Sequence, residues 1–236
     1  MVKSIVKCEK QKDDGRMETQ KRKQNEKEKA ERRMKIIAGL GSVDEYIPYV
    51  QAGADELFCG YVPYNWTKKY GTVLPLNRRE VLAYNVQLGS FSELEILSAM
   101  IRKYRKPVHI AMNSLYYIPE QYEEIADIVK QCMKIGFDSF ILADPALILY
   151  LRQKGISCKI HLSGEAGEMN REAIKVFREM GIGRIIFHRK NTVASMQQMI
   201  EAVNAERLEF EAFALNDCVS SQEHSAIPFT VTRWVI

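Results

Sequence analysis

From residue 34 onward, short apolar runs alternate with helical patterns, and that alternation restricts the fold more than any other feature. Strand-like runs occupy 35–40 (KIIAGL), 54–60 (ADELFCG), 107–113 (PVHIAMN), 138–143 (DSFILA), 157–162 (SCKIHL), 183–188 (GRIIFH) and 208–214 (LEFEAFA). Helical stretches lie between them near 43–52, 91–105, 120–135, 145–154, 170–180 and 193–204. Strand and helix in turn mean right-handed βαβ units and a parallel sheet, because a right-twisted strand feeding a helix packs back onto its sheet in one hand. Seven such strands fit an open doubly wound sheet or a parallel (β/α) barrel of the TIM type. About 200 residues remain for the barrel, the lower end for eight units. The alternating stretch 228–236, PFTVTRWVI, is the one candidate for an eighth strand. Unless it closes the ring, the barrel is incomplete and two strand edges stay unpaired.

Local signals agree with this reading. Ser42 with Glu45, and Ser92 with Glu95, fit the S-x-x-E capping box, in which hydroxyl and carboxylate each satisfy an orphan amide. Asp144 before Pro145 supplies an N-cap and a first-turn proline. Gly53, Gly136, Gly155 and Gly181 sit where helices should stop.

Residues 1–33 stand apart. They hold twelve Lys/Arg and seven Asp/Glu, so the net charge of +4 comes from this segment, and the remainder is close to neutral. The stretch 9–33 carries no amphipathic stripe and reads as a disordered arm or a solvated helix. Met34 directly precedes the first strand, which places the expected natural start there. The domain organisation is thus a charged extension over 1–33 and one barrel domain over 34–236. Bulk charge argues for nucleic acid through the extension alone.

The five cysteines, at 8, 59, 132, 158 and 218, show no C-x-x-C and no even spacing, so neither a zinc ribbon nor a disulfide framework is indicated. The N-terminus lacks the apolar core of a signal peptide, and no run approaches the roughly 18–20 apolar residues of a membrane span. A cytoplasmic protein without membrane contact is expected.

GLGSVD at 39–44 follows a strand and opens a helix, as a dinucleotide fingerprint does, but Asp44 holds the third glycine position, where helix packing needs a small residue. A tight strand-to-helix turn is favoured. No H-E-x-x-H, G-x-S-x-G or P-loop occurs. In parallel α/β folds, sites form at the carboxyl ends of the strands. There lie Gly41 and Ser42, Cys59 and Gly60, Asn113 with Tyr116 and Tyr117, Asp144, His161 with Ser163 and Glu165, His188 with Arg189, and Asn216 with Asp217 and Cys218. Asp144 and Ser42 are better read as caps. The guanidinium of Arg189 suits a carboxylate or phosphate. The long loop 61–90 interleaves Tyr61, Tyr64, Trp66 and Tyr70 with Lys68, Lys69, Arg78 and Arg79. It is either a platform for a nucleotide or aromatic substrate, or a lid packing its own aromatics.

The blocks AGADELFCGY, PLNRRE, FSELEIL, PVHIAMNSLYY, ILADPALILYLRQKG, NREAIKVFREMGIGRIIFHR and EAFALNDC resemble, in order, the U-thirty-two peptidases, the collagenase-like proteins. The resemblance covers roughly 35–218 and implies a (β/α) barrel. It implies two activities: collagen-type proteolysis by a metal-dependent peptidase, and oxygen-independent hydroxylation of ribosomal RNA, of the wobble uridine of transfer RNA, or of ubiquinone precursors. Prephenate is the hydroxyl source implied for the RNA-modifying members, and a four-cysteine 4Fe-4S cluster is implied in full-length relatives. By position, Asn113, Asp144, Ser163 and Arg189 match family residues on the third to sixth strands, and Cys218 resembles the first cysteine of the cluster motif.

The chain departs from that pattern at Gly164 and Glu165, where Thr and Gln are common, and at Lys190, where an acid is frequent. After Cys218 no further cysteine follows, so the cluster is expected to be absent here and the chain to be a C-terminally truncated or frameshifted member. The expected activity is hydroxylation chemistry on RNA or on a small anionic or aromatic substrate. Asn113, Ser163 and Arg189 bind it, His161 and His188 move protons, and Cys218 is a metal ligand. The alternatives are proteolysis, or an inactive remnant that self-associates through exposed strand edges.

Overall fold

Each of the seven apolar runs forms a parallel strand. The structure, a computed structural model, describes residues 34–71, 73–78, 87–203 and 208–214, with the backbone of 229–232. The strands are β1 (Lys35–Leu40), β2 (Glu56–Tyr61), the two-residue β3 (Gln87–Leu88), β4 (Val108–Met112), β5 (Ser139–Leu142), β6 (Lys159–Leu162), β7 (Arg184–Ile186), β8 (Glu209–Phe213) and β9 (Phe229–Thr232). The helices are α1 (Tyr46–Gln51), α2 (Tyr64–Tyr70), α3 (Phe91–Tyr104), α4 (Pro119–Lys134), α5 (Pro145–Gln153), α6 (Arg171–Glu179) and α7 (Val193–Val203).

The sheet curls upon itself. β1 pairs in parallel with β2, and β2 with β4, after which β5, β6, β7 and β8 follow in chain order. β9 lies in the gap between β8 and β1 and is antiparallel to both. The stretch expected to supply an eighth strand does so, in the opposite direction from that of a complete (β/α) barrel. The result is an incomplete TIM-type barrel of seven longer parallel strands, with the short β3 parallel beside β2 and with β9 paired to both remaining edges.

Alternation along the strands divides the side chains into two sets. Leu57, Cys59, Ile110, Phe140, Leu142, Ile160, Leu162 and Ile185 point outward and pack under the helices with Leu94, Leu97, Ile125, Val129, Leu147 and Ile174. The opposite phase lines the barrel, where Ala111, Ile141 and Ile186 meet Phe58 and Phe213. Gly39 shares this interior. A Cβ there would stand 2.8 Å from the Phe58 ring, so the glycine makes room for the phenylalanine.

The helix ends follow the expected chemistry, with one shift of register. Ser90, rather than Ser92, caps α3. Its Oγ accepts from the Glu93 amide at 3.4 Å, and Glu93 accepts from the amides of Ser90 and Gly89 at 2.9 and 3.1 Å. Asp144 accepts from the Ala146 amide at 2.8 Å and from the Tyr122 hydroxyl at 3.1 Å, which establishes its capping role. Gly53, Gly136, Gly155 and Gly181 all have positive φ at helix ends.

The loop 61–90 is more structured than its sequence suggested. α2 buries Trp66, whose indole donates to the Leu74 carbonyl at 3.1 Å, and the Tyr70 hydroxyl reaches Glu124 on α4 at 3.0 Å. Tyr61 is also buried, so Tyr61 and Trp66 serve as packing rather than as an open platform. No helix among the described residues is long and apolar enough to cross a membrane.

Candidate functional site

The barrel interior is polar at the level where several strands start. Glu56, His109, Ser139 and Arg184 share the inward phase and are nearly inaccessible. Arg184 reaches Glu56 at 2.8 Å, Glu209 at 2.5 Å and Glu211 at 3.3 Å. His109 links Glu56 at 3.0 Å through Nε2 and Ser139 at 2.5 Å through Nδ1. A neutral ring that donates from Nε2 to the carboxylate must accept at Nδ1 from the Ser139 hydroxyl. Lys35 also pairs with Glu56.

Burial and charge work against each other in this network. Burial would raise the Glu56 carboxyl, but the His109 hydrogen bond and the Arg184 charge outweigh it and hold it well below the usual carboxylate range. At Glu211 burial wins over the attraction of Arg184 and pushes the carboxyl up to about 7. Burial lowers His109, with partial relief from Glu56. His161 is lowered well below its ordinary value, first by burial and then by His109 and Arg184, so its ring is neutral. It lies 4.5 Å from the His109 ring, and its Nδ1 has no hydrogen-bond partner among the described residues.

Above this layer, at the carboxyl ends of the strands, a second polar group assembles. Asn113 follows β4 and Ser163 follows β6, and the Asn113 amide donates to Ser163 Oγ at 3.4 Å. Asn113 Oδ1 accepts from the Arg78 backbone amide at 3.3 Å. The loop carrying Arg78 is tied to the exit of β4, because Ser114 Oγ donates to the Pro75 carbonyl at 2.5 Å and the Tyr117 hydroxyl to that of Leu76 at 2.6 Å. Arg78 pairs with Glu165, which Arg189 approaches from the β7 exit at 3.4 Å. Ser163 Oγ also accepts from the Glu165 amide at 3.3 Å, capping the short turn Gly164–Ala166.

Gly164 fits because the chain passes close by. A Cβ there would lie 2.9 Å from the Phe187 carbonyl oxygen. Backbone cannot yield as a side-chain tip can, so Gly164→Ala is expected to lower the melting temperature by several degrees, roughly 1–3 kcal/mol. Calorimetry of wild type and variant measures the shift.

The structure therefore brings together Asn113, Ser163 and Arg189, the last through Glu165. It separates the two histidines. His161 is in strand β6 beside Arg184 and is buried in the barrel, whereas His188 lies beyond β7 and is half-buried. His188 Nδ1 accepts from the Lys190 amide at 3.2 Å, which leaves Nε2 to carry the proton of the neutral ring. Cys59, grouped by sequence with the strand exits, points outward into the apolar layer. Cys218 lies outside the described residues, as do Asn216 and Asp217.

The described cysteines do not fit a four-thiolate cluster. Cys59, Cys132 and Cys158 are buried on β2, on α4 and ahead of β6. Burial raises each thiol, that of Cys132 to about 12, so these are packing groups. Cluster ligation needs sulfurs converging as thiolates on one point.

Sequence reasoning passed over Glu56, His109, Arg184 and Glu211. The available signal was a polar residue in the inward phase of successive strands: Glu56 in ELFCGY, His109 in VHIAM, Ser139 in SFIL, Arg184 in RII and Glu211 in EFEAF.

The seven longer parallel strands around an interior that is polar at one end, with arginines and hydrogen-bond donors near their carboxyl ends, define an incomplete TIM-type barrel whose polar rim lies at the face where barrels of this class hold ligands. The sequence model of Peptidase family U32 matches residues 41–226, most of the chain, and the chain belongs to that family. tRNA hydroxylation protein P1 of Bacillus subtilis (strain 168) is 22% identical over 178 residues, covering 75% of this chain and 37% of that protein. tRNA hydroxylation protein P of Haemophilus influenzae (strain ATCC 51907 / DSM 11121 / KW20 / Rd) is 31% identical over 174 residues, covering 72% of this chain and 34% of that protein. The chain thus spans about a third of the length of these two relatives. The solved structure of the U32 peptidase Mk0906 superposes with a TM-score of 0.50 at 16% identity, over 74% of this chain and 65% of that one, a likeness of fold.

Proposed function

We propose that this chain is a hydroxylation protein acting on RNA and that its rim binds an oxyanion of the reaction through Arg189. The supporting observation is the convergence of Arg189 and Arg78 on one carboxylate beside Asn113 and Ser163, at the face where barrels of this class hold ligands. The reaction class comes from the relatives named as tRNA hydroxylation proteins. In this reading the guanidinium of Arg189 holds the anion, and Asn113 and Ser163 orient it by hydrogen bonds. His188 is the proton-transfer group at the rim. His161, one layer lower and neutral, supports the site from within the barrel.

The test is complementation. A bacterial strain lacking its own tRNA hydroxylation protein would receive this chain, and its transfer RNA would be digested for nucleoside mass spectrometry. Hydroxylated uridine is expected with the wild-type chain and should fall by at least about tenfold with Arg189→Ala, a loss of about 1.4 kcal/mol or more in transition-state binding. Soluble, folded wild-type protein that restores no modified nucleoside overturns the reading and favours a non-catalytic interaction module.

A further inference from the structure

We propose that Glu165 is an internal anion that occupies the Arg78–Arg189 pair in the ligand-free protein, and that a bound oxyanion displaces it. This rests on reading the rim as an oxyanion site and concerns how that site is regulated.

Three observations carry it. First, one carboxylate receives two guanidiniums from separate elements, Arg78 ahead of β3 and Arg189 after β7. Arg78 and Arg189 bring two guanidiniums to this one carboxylate, a local charge suited to an anion. Second, the backbone under Glu165 is pinned. Ser163 Oγ holds its amide at 3.3 Å, and Gly164 fits against the Phe187 carbonyl with no room for a Cβ. The carboxylate is thereby delivered to a set place between the arginines, while the side chain keeps its own rotations. Third, all three side chains are partly exposed, at 34% for Arg78 and Arg189 and 20% for Glu165. Ion pairs at such exposure are individually weak and exchange readily. A pinned, weakly held carboxylate is suited to compete with a ligand for the arginines.

Competition also confers selectivity. A monoanion offers the arginines no more than Glu165 already does. A dianion offers more charge at the same point and displaces it. Removing the internal carboxylate should therefore strengthen oxyanion binding and reduce the preference for dianions.

The experiment is isothermal titration of the full chain with succinate, inorganic phosphate and acetate, for wild type and for Glu165→Gln. The variant is expected to bind succinate or phosphate about tenfold tighter, a shift of one decade in Kd. Whichever of the two gains more identifies carboxylate or phosphate as the preferred source of the oxyanion. Glu165→Asp, which withdraws the carboxylate by one methylene, should gain in the same direction and serves if the glutamine variant does not fold. A brace that merely positions the arginines would lose affinity when removed, so weaker binding by the variants overturns the proposal. Equal affinities overturn it too, and leave the rim as an oxyanion site without an internal competitor. Absence of binding by every protein overturns both the proposal and the rim reading beneath it.

Discussion

Arg184→Met is expected to destabilise the protein by about 3–5 kcal/mol at neutral pH, the cost of breaking a buried charge network by removing one partner. Arg184 is 3% exposed and is the inward cation facing Glu56, Glu209 and Glu211. Methionine fills much of the volume but leaves Glu56 buried with Lys35 and His109 as partners, and Glu211 buried without the guanidinium that faced it. Urea denaturation measures the loss. Adding Glu211→Gln should recover part of it, because one of the stranded carboxylates is then gone, and the double-mutant cycle reads their coupling. A loss under about 1 kcal/mol would show that the carboxylates reach solvent.

Glu211 also makes stability depend on pH. Its carboxyl titrates near 7 in the folded protein against an ordinary value of 4.5. Between those two values the folded state holds a proton that the unfolded state has released. The stabilisation is therefore complete below about 4.5 and is lost as pH rises through 7. Relative to Glu211→Gln, the wild type is expected to lose up to about 1.4 kcal/mol per pH unit across that window. Other buried groups have the opposite sign. Glu56, held low, contributes stability above 4.5 that is lost in acid. His109 and His161, also held low, contribute stability above 6.5 that is lost as pH falls. The difference between wild type and variant, by chemical denaturation from pH 4.5 to 8, isolates Glu211. A flat difference would mean that the carboxyl is ionised throughout.

These two effects arise in the part of the molecule that its sequence disclosed least. Strands and helix ends were legible because their determinants are local: the apolar run of KIIAGL, Asp144 before Pro145, and the glycines that end helices. The Ser92 cap was misplaced by two residues because Ser90 and Ser92 both precede a glutamate at the right spacing. The direction of β9 was not legible, since PFTVTRWVI alternates equally well either way. At the rim, Asn113, Ser163 and Arg189 were found through their positions at strand exits. The role of Glu165 needed three dimensions, because its partners are 87 and 24 residues away. The interior network was hidden for the same reason. Glu56, His109 and Arg184 meet only when the sheet curls, and each taken singly looks like a polar residue near the start of an apolar strand.

The direction of β9 also decides where anything joined to the end of the barrel must begin. Thr232 pairs with Lys35, at the start of β1, so the strand finishes on the face opposite Asn113, Ser163 and Arg189. A parallel eighth strand would have carried the chain to the rim. Here a fused domain or affinity tag attached beyond Thr232 starts from the far side of the barrel. To contribute a residue to the rim, such a segment would first have to climb the full height of the barrel.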